Sequence, residues 1–282
     1  MIRHVVQLAG GLGNQMFQYA FGQSLGDDTV YDAFRYGESR SAAMRDYWLD
    51  RFVCEPRLLD QKWVKRRGEK GLKLVRSPLD WLKPRIPLVI ERHALVFEPG
   101  LMKQAAGYYE GYFQCPRYFA KLRSALLRAF VPRASPGPAF ERLRNEIRTC
   151  EAVAVHIRRG DYLTAADYYG LCGLDYYHRA MGEMMRLCAH PKFYIFSDDL
   201  AWARANLKVS ADHVFVELPE RTNPLCDMML MRDCHHNIIA NSSYSWWGAW
   251  LNENPDKTVI CPKSWLADGK EYDIYEKGWL RL

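Results

Sequence analysis

The chain has 282 residues, 49% hydrophobic and 26% charged, with a formal net charge of +6. That length suits two domains of about 100–150 residues, and the balance is that of a soluble globular protein, not a disordered or fibrous one. No apolar run reaches ~18 residues and the start, MIRHVVQLAGG, is too short for a secretory leader, so neither a membrane span nor export is expected.

HVVQLA (4–9) is rich in β-formers and ends at Gly10-Gly11. NQMFQYAFGQSL (14–25) spaces Met16, Phe17, Ala20, Phe21 and Leu25 as a helix does, and TVYDA (29–33) reads as a strand. Residues 62–85 carry nine Lys or Arg against two acidic residues. Two readings stay open there: a solvated helical or loop surface, or a patch that meets anionic lipid or a lipid-linked acceptor. YYEGYF (108–113) is strand-like, and PRYFAKLRSALLRAF (116–130) is an amphipathic helix with Pro at its start. VPRASPGP (131–138) is the linker candidate. The boundary is therefore expected near 135, giving domains 1–135 and 136–282.

Beyond the linker, strands at 151–157, 192–197, 213–218, 237–241 and 257–262 alternate with helices at 175–190, 198–207, 224–234 and 243–254. This alternation predicts an α/β domain with a parallel sheet covered on both faces.

Ligands of such sheets lie beyond the carboxyl ends of the strands. Those ends deliver three polar clusters: His156, Arg158, Arg159 and Asp161; then Ser197, Asp198 and Asp199; then Asn241, Ser242 and Ser243. Guanidinium groups grip phosphate bidentately, and a helix start offers N–H donors and a favourable dipole. An arginine pair facing a helix start is a diphosphate clamp. The competing reading pairs Arg158 with Asp161 or Asp198 and makes the serines helix caps.

Several other patterns carry weaker signals. Gly11, Gly13 and Asp32 partly match a dinucleotide fingerprint, but position 16 is Met, so a nicotinamide-dependent oxidoreductase remains an alternative. The side chains of Asn14 and Gln15 suit sugar hydroxyls or phosphate better. Trp246, Trp247 and Trp250 form either a sugar-stacking platform, as in a non-catalytic sugar-nucleotide sensor or lectin, or a helix buried all round. The eight cysteines show no C-x-x-C and read as reduced thiols, and Cys234-His235-His236 lacks a fourth ligand at metal-site spacing. No metal and no nucleic-acid partner are expected.

GGLGNQMFQYAFG, HIRRGDY, FYIFSDD and NIIANSSYSWWGAWLN resemble, in that order, the motifs of the α-1,2-fucosyltransferases, glycosyltransferase family 11. The resemblance runs from residue 5 to the C-terminus and is weakest over 35–105. It implies a GT-B-like pair of Rossmann-type domains, the first (1–135) on the acceptor side and the second (136–282) binding GDP-fucose. GDP-L-fucose would lie in the interdomain cleft and a galactoside-terminated oligosaccharide or lipid-linked glycan would be the acceptor. Transfer to the 2-hydroxyl would invert the anomeric carbon, without metal, the alternative being a fucosyltransferase of another linkage. By the same resemblance, Arg158 would clamp the diphosphate, supported by Arg159, with His156 near the nucleotide. Ser197, Asp198 and Asp199 would face guanosine, and Asn241, Ser242 and Ser243 the phosphates. Asn14 would reach in from the first domain. Asp161 is the nearest carboxylate for a base, or else it orients Arg158. The expected location is cytoplasmic, with possible peripheral contact at the inner face of the membrane.

Overall fold

The computed structural model describes residues 2–36, 46–60, 64–68, 71–75 and 85–282. The chain forms two compact units, Met1–Arg133 with Asp273–Tyr275, and Ala134–Tyr272 with Glu276–Leu282. The return of three late residues to the first unit is a non-local feature that no linker composition could reveal.

The first unit contains β1 (His4–Gln7), α1 (Leu12–Leu25), β2 (Thr29–Asp32), β3 (Val64–Gly68), β4 (Gly71–Val75), β5 (Leu88–Ile90), β6 (Gly107–Glu110) and α2 (Arg123–Ala129). Its sheet runs β2-β1-β6-β5 with every pair parallel. The basic segment 62–85 lies largely outside the described residues. Its described parts pair β3 with β4 as an antiparallel hairpin, not a helix or loop. In GLKLV, Leu72 and Leu74 alternate inward and pack with Val5, Val30, Leu59 and Tyr108. The helix expected over 116–130 is shorter than the pattern suggested. Two 3-10 turns come first, at Pro116–Tyr118 and Ala120–Leu122, and Tyr118 and Phe119 are buried there.

The second unit contains α3 (Pro138–Ile147), β7 (Glu151–Ile157), α4 (Ala166–Tyr169), α5 (Leu174–Leu187), β8 (Pro191–Ser197), α6 (Leu200–Asn206), β9 (His213–Phe215), α7 (Leu225–Asp233), β10 (His236–Ile238), α8 (Ser243–Leu251), β11 (Val259–Cys261) and β12 (Leu280–Arg281). The sheet order is β12-β11-β10-β7-β8-β9, again parallel throughout. From β7 the chain winds one way to β9, then crosses back to β10 and winds the other way. The strand order therefore reverses between β7 and β10, the point where doubly wound sheets bind ligands.

Burial explains the strands. Val153, Val155, Ile157, Phe193, Ile195, Ile238 and Ile260 pack against Tyr177, Ala180, Met181 and Met184 of α5. In α8, Trp246 and Trp247 are fully buried and Trp250 nearly so, so these tryptophans form core, not a sugar platform. Gly248 allows α7 to approach closely, since a Cβ there would meet Met231 at 3.0 Å. All eight cysteines are free thiols. Among the described residues no helix is long and apolar enough to cross a membrane.

Candidate active site

β7 is buried on both faces to its last residue, Ile157, and the charged residues begin where that burial ends. Ile157 pairs in register with Ser197 at the end of β8, so HIRRGD and SDD emerge side by side. Asp198 ties them together. Its Oδ1 accepts the backbone N–H of Arg159 at 2.9 Å, and its Oδ2 lies 3.2 Å from Arg158 NH1. A Cβ at Gly160 would stand 2.6 Å from Asp198 Oδ2 and push that carboxylate aside.

Arg158 is held at both ends of its guanidinium. NH2 meets Asp161 Oδ1 at 2.6 Å, NH1 meets Asp198, and the plane lies 5.6 Å from the Tyr162 ring. Its buried Nε has no partner among the described residues. A buried donor left unpaired costs about 1–3 kcal/mol, which a bound acceptor would offset. Arg159 leaves in another direction. Its guanidinium stacks 3.6 Å over Trp202, and Nε faces Asp199 Oδ2 at 3.4 Å. The two guanidinium groups therefore point apart, because successive side chains of an extended backbone diverge. Trp202, which partners Arg159, carried no sequence signal beyond following the two aspartates.

The other candidates sort as follows. Asp199 caps α6, accepting from Trp202 N at 3.0 Å, and Ser197 Oγ accepts from Asp199 N at 3.0 Å. Asp198 and Asp199 thus face the arginines and a helix start, where guanosine contacts were expected. Ser242 caps α8, accepting from Tyr244 N at 3.3 Å, and Ser243 opens that helix. Asn241 is 4% exposed. Its Nδ2 donates to the carbonyls of Tyr169, Gly170 and Trp265, and its Oδ1 accepts from Cys172 Sγ. That carboxamide is committed to loop carbonyls and Cys172, not turned toward a ligand as the expected phosphate role requires.

His156 is 4% exposed, with its ring 5.7 Å from Tyr244 and its Nδ1 without a partner among the described residues. Burial, and then the charge of Arg158, push its pKa down to about 3. The folded ring is therefore neutral, while the unfolded chain protonates near ~6.5. The stability this provides is complete above the unfolded value and is lost as pH falls from there toward the folded one. At pH 5 the loss is about 2 kcal/mol. Urea unfolding at pH 7.5 and pH 5 should show a smaller acid deficit for His156→Gln than for wild type. Equal deficits would contradict the assignment.

Asn14 belongs to the first unit, where the carboxyl ends of β1 and β6 adjoin. Its Oδ1 accepts from Gln114 Nε2 at 2.6 Å. Gly10 has φ +79, and a Cβ on it would strike Asn14 Nδ2. Gln15 is fully buried, donating to the carbonyls of Gly10 and Asp46 and accepting from Trp48 N, so it pins loops and binds no sugar. Asp32 is 1% exposed and accepts from Tyr108 OH at 2.5 Å and Phe34 N at 3.0 Å. A ribose has no access to it, and with Met16 buried in place of a third glycine the nicotinamide alternative fails.

Glu151, Cys188 and His236 bring ligand atoms within 4.8 Å of one another, but His236 Nδ1 accepts from Thr258 N at 2.9 Å. That bond uses the Nδ1 lone pair and leaves the neutral ring's proton on Nε2.

The chain is similar to known glycosyltransferases. The family described as Glycosyl transferase family 11 matches residues 93–282. The O-antigen biosynthesis glycosyltransferase WbnK of Escherichia coli is 30% identical, over 98% of this chain and 99% of its own. The alpha-1,2-colitosyltransferase of Escherichia coli is 31% identical, over 99% and 98%. Galactoside 2-alpha-L-fucosyltransferase SEC1 of Bos taurus is 33% identical, over 48% of this chain and 39% of its own. Among solved structures, a mutant of Arabidopsis thaliana FUT1 in complex with GDP superposes with a TM-score of 0.51 at 10% identity, over 93% of this chain and 70% of that one, a likeness of fold. With the family matched over more than half the chain and full-length relatives at 30% identity or above, the chain belongs to glycosyl transferase family 11.

Proposed function

We propose that this glycosyltransferase moves L-fucose from GDP-L-fucose to the 2-hydroxyl of a terminal galactoside, on a free or lipid-linked glycan, forming an α-1,2 linkage with inversion. One observation carries the reading: Arg158 directly follows β7, one of the two strands between which the order reverses, and its guanidinium is held in place by Asp161 and Asp198. A nucleoside diphosphate is both the ligand and the leaving group. Negative charge grows on its β-phosphate as the anomeric C–O bond breaks. A fixed guanidinium and helix N–H groups stabilise that growth more than the ground state.

The charges nearest the site constrain the mechanism. Arg158 and Arg159 give two positive charges and Asp161, Asp198 and Asp199 three negative, a sum of −1. An anion therefore binds by exchange, not by general attraction. Asp198 also holds the loop backbone, whereas Asp161 is the more exposed of Arg158's two partners, at 47% against 26%. The diphosphate replaces Asp161 on Arg158. The released carboxylate then takes the acceptor hydroxyl's proton while that oxygen bonds the anomeric carbon, and the C–O electron pair leaves with GDP.

A second reading, favoured by the near-full-length match to an α-1,2-colitosyltransferase, places colitose where fucose is proposed. Turnover with GDP-fucose and GDP-colitose, each with β-galactoside acceptors and linkage analysis, separates the two. Calorimetry should find GDP binding more tightly than GMP, and undiminished by EDTA. Loss of binding in EDTA would sink the metal-free clamp, and no GDP binding at all would sink the whole reading.

A further inference from the structure

Behind Arg158 the chain builds an aromatic ladder. The guanidinium lies over Tyr162, and Tyr162 stacks on Tyr169 with ring centroids 4.4 Å apart at 10°. Tyr168 meets Tyr169 edge-on at 4.9 Å and 84°. The last ring of the series is 56% exposed, and the same segment exposes Leu163 and Leu171. This segment is pinned on both sides. Tyr162 OH donates to the Asn241 carbonyl at 3.0 Å, the Asn241 amide donates to the Tyr169 and Gly170 carbonyls, and Ala267 N–H donates to the Tyr168 carbonyl. Gly170, at φ +69 and against the Ala267 backbone, lets the chain turn there.

The Tyr168 ring is exposed on a segment whose backbone is hydrogen-bonded on both sides, next in series to the rings packed behind Arg158. We propose that Tyr168 is the stacking platform for the acceptor sugar, taking the apolar C–H face of a terminal pyranose while its hydroxyls stay solvated or reach the site. The inference rests on the glycosyl-transfer reading and adds the acceptor's docking residue to it. Three features carry it: ring exposure, continuity with Arg158 through two packed rings, and anchoring that holds the ring in place before the sugar arrives. The guanine base, also flat and stackable, is the competing occupant.

The test compares wild type, Tyr168→Ala and Tyr168→Phe by saturation-transfer NMR with lactose and methyl β-D-galactopyranoside, by steady-state kinetics on lactose, and by GDP calorimetry. Tyr168→Ala should raise the acceptor KM ~tenfold and abolish the sugar's saturation transfer, while GDP affinity stays within about twofold. Tyr168→Phe should behave as wild type, because the ring and not the hydroxyl does the stacking. An unchanged acceptor KM and NMR signal in Tyr168→Ala overturns the proposal. So does weakened GDP binding with an unchanged acceptor, which assigns the ring to the base, and so does a wild type that binds neither sugar. A wild type that fails to bind GDP defeats the donor reading, whereas the NMR comparison still decides the role of Tyr168.

Discussion

Replacing Arg158 by alanine is expected to lower kcat/KM by ~10²–10³, the cost of losing one donor aimed at developing charge. The side chain's two ends already bind carboxylates, at 2.6 Å and 3.2 Å, so the group is oriented before any phosphate arrives. A hydrogen bond to a charged group is worth roughly 1.5–3 kcal/mol, and part of that should appear as weaker GDP binding. The fold should survive. Arg158's ion pairs are partly exposed and screened, so their loss costs on the order of 1 kcal/mol of stability. Arg158→Lys should recover little, because an ammonium is a point charge and cannot span Asp198 and a phosphate in one plane. Arg159→Ala should cost less, since that guanidinium is spent on Trp202 and Asp199. Steady-state kinetics with thermal unfolding as a control decides the matter. A lysine variant that turns over like wild type would refute planar, two-point recognition.

The sheet of the second unit was legible because its central strands are buried on both faces and read as unbroken apolar runs ending in polar residues. The same rule brought HIRRGD and SDD to one edge, and the Ile157–Ser197 register places them there. Direction was not legible. Arg158 and Arg159 are identical letters with opposite fates, decided by where Trp202 and Asp161 sit. Asn241 and Gln15 reveal the same gap. A carboxamide looks equally suited to a ligand or to a loop carbonyl, and only the surrounding backbone shows which it serves. The short strands β5 and β12 hold too few residues to display a period, and β3 with β4 was hidden by lysines and arginines that suggested a helix or loop.

Asn241→Asp should be the most damaging change to stability, although it alters almost no volume. One NH2 group now serves three carbonyls, of Tyr169 at 2.8 Å, Gly170 at 3.2 Å and Trp265 at 3.0 Å. The substitution turns that donor into an oxygen facing oxygens and buries a charge with no cation supplied. Breaking a buried polar arrangement in this way costs about 3–5 kcal/mol. The sign of the pH dependence follows from the same surroundings. Carbonyl dipoles and burial disfavour the ionised form, so the introduced carboxylate's folded pKa lies above its unfolded value of ~3.9. The folded variant then keeps a proton that the unfolded chain has released, and stability falls as pH rises above ~3.9 until the folded pKa is passed. Relative to wild type the deficit should be small near pH 4, where the protonated acid donates one of the lost bonds, and large at pH 7. Asn241→Ala should show a deficit that does not vary with pH. The functional loss should follow the loop: with Tyr169 and Gly170 released, the ladder ending at Tyr168 loosens, so acceptor KM worsens before GDP affinity does. Thermal unfolding of wild type and both variants at pH 4, 5.5 and 7 provides the measurement, and a pH-independent deficit for Asn241→Asp would show that its carboxylate reaches water and that the loop is not pinned as described.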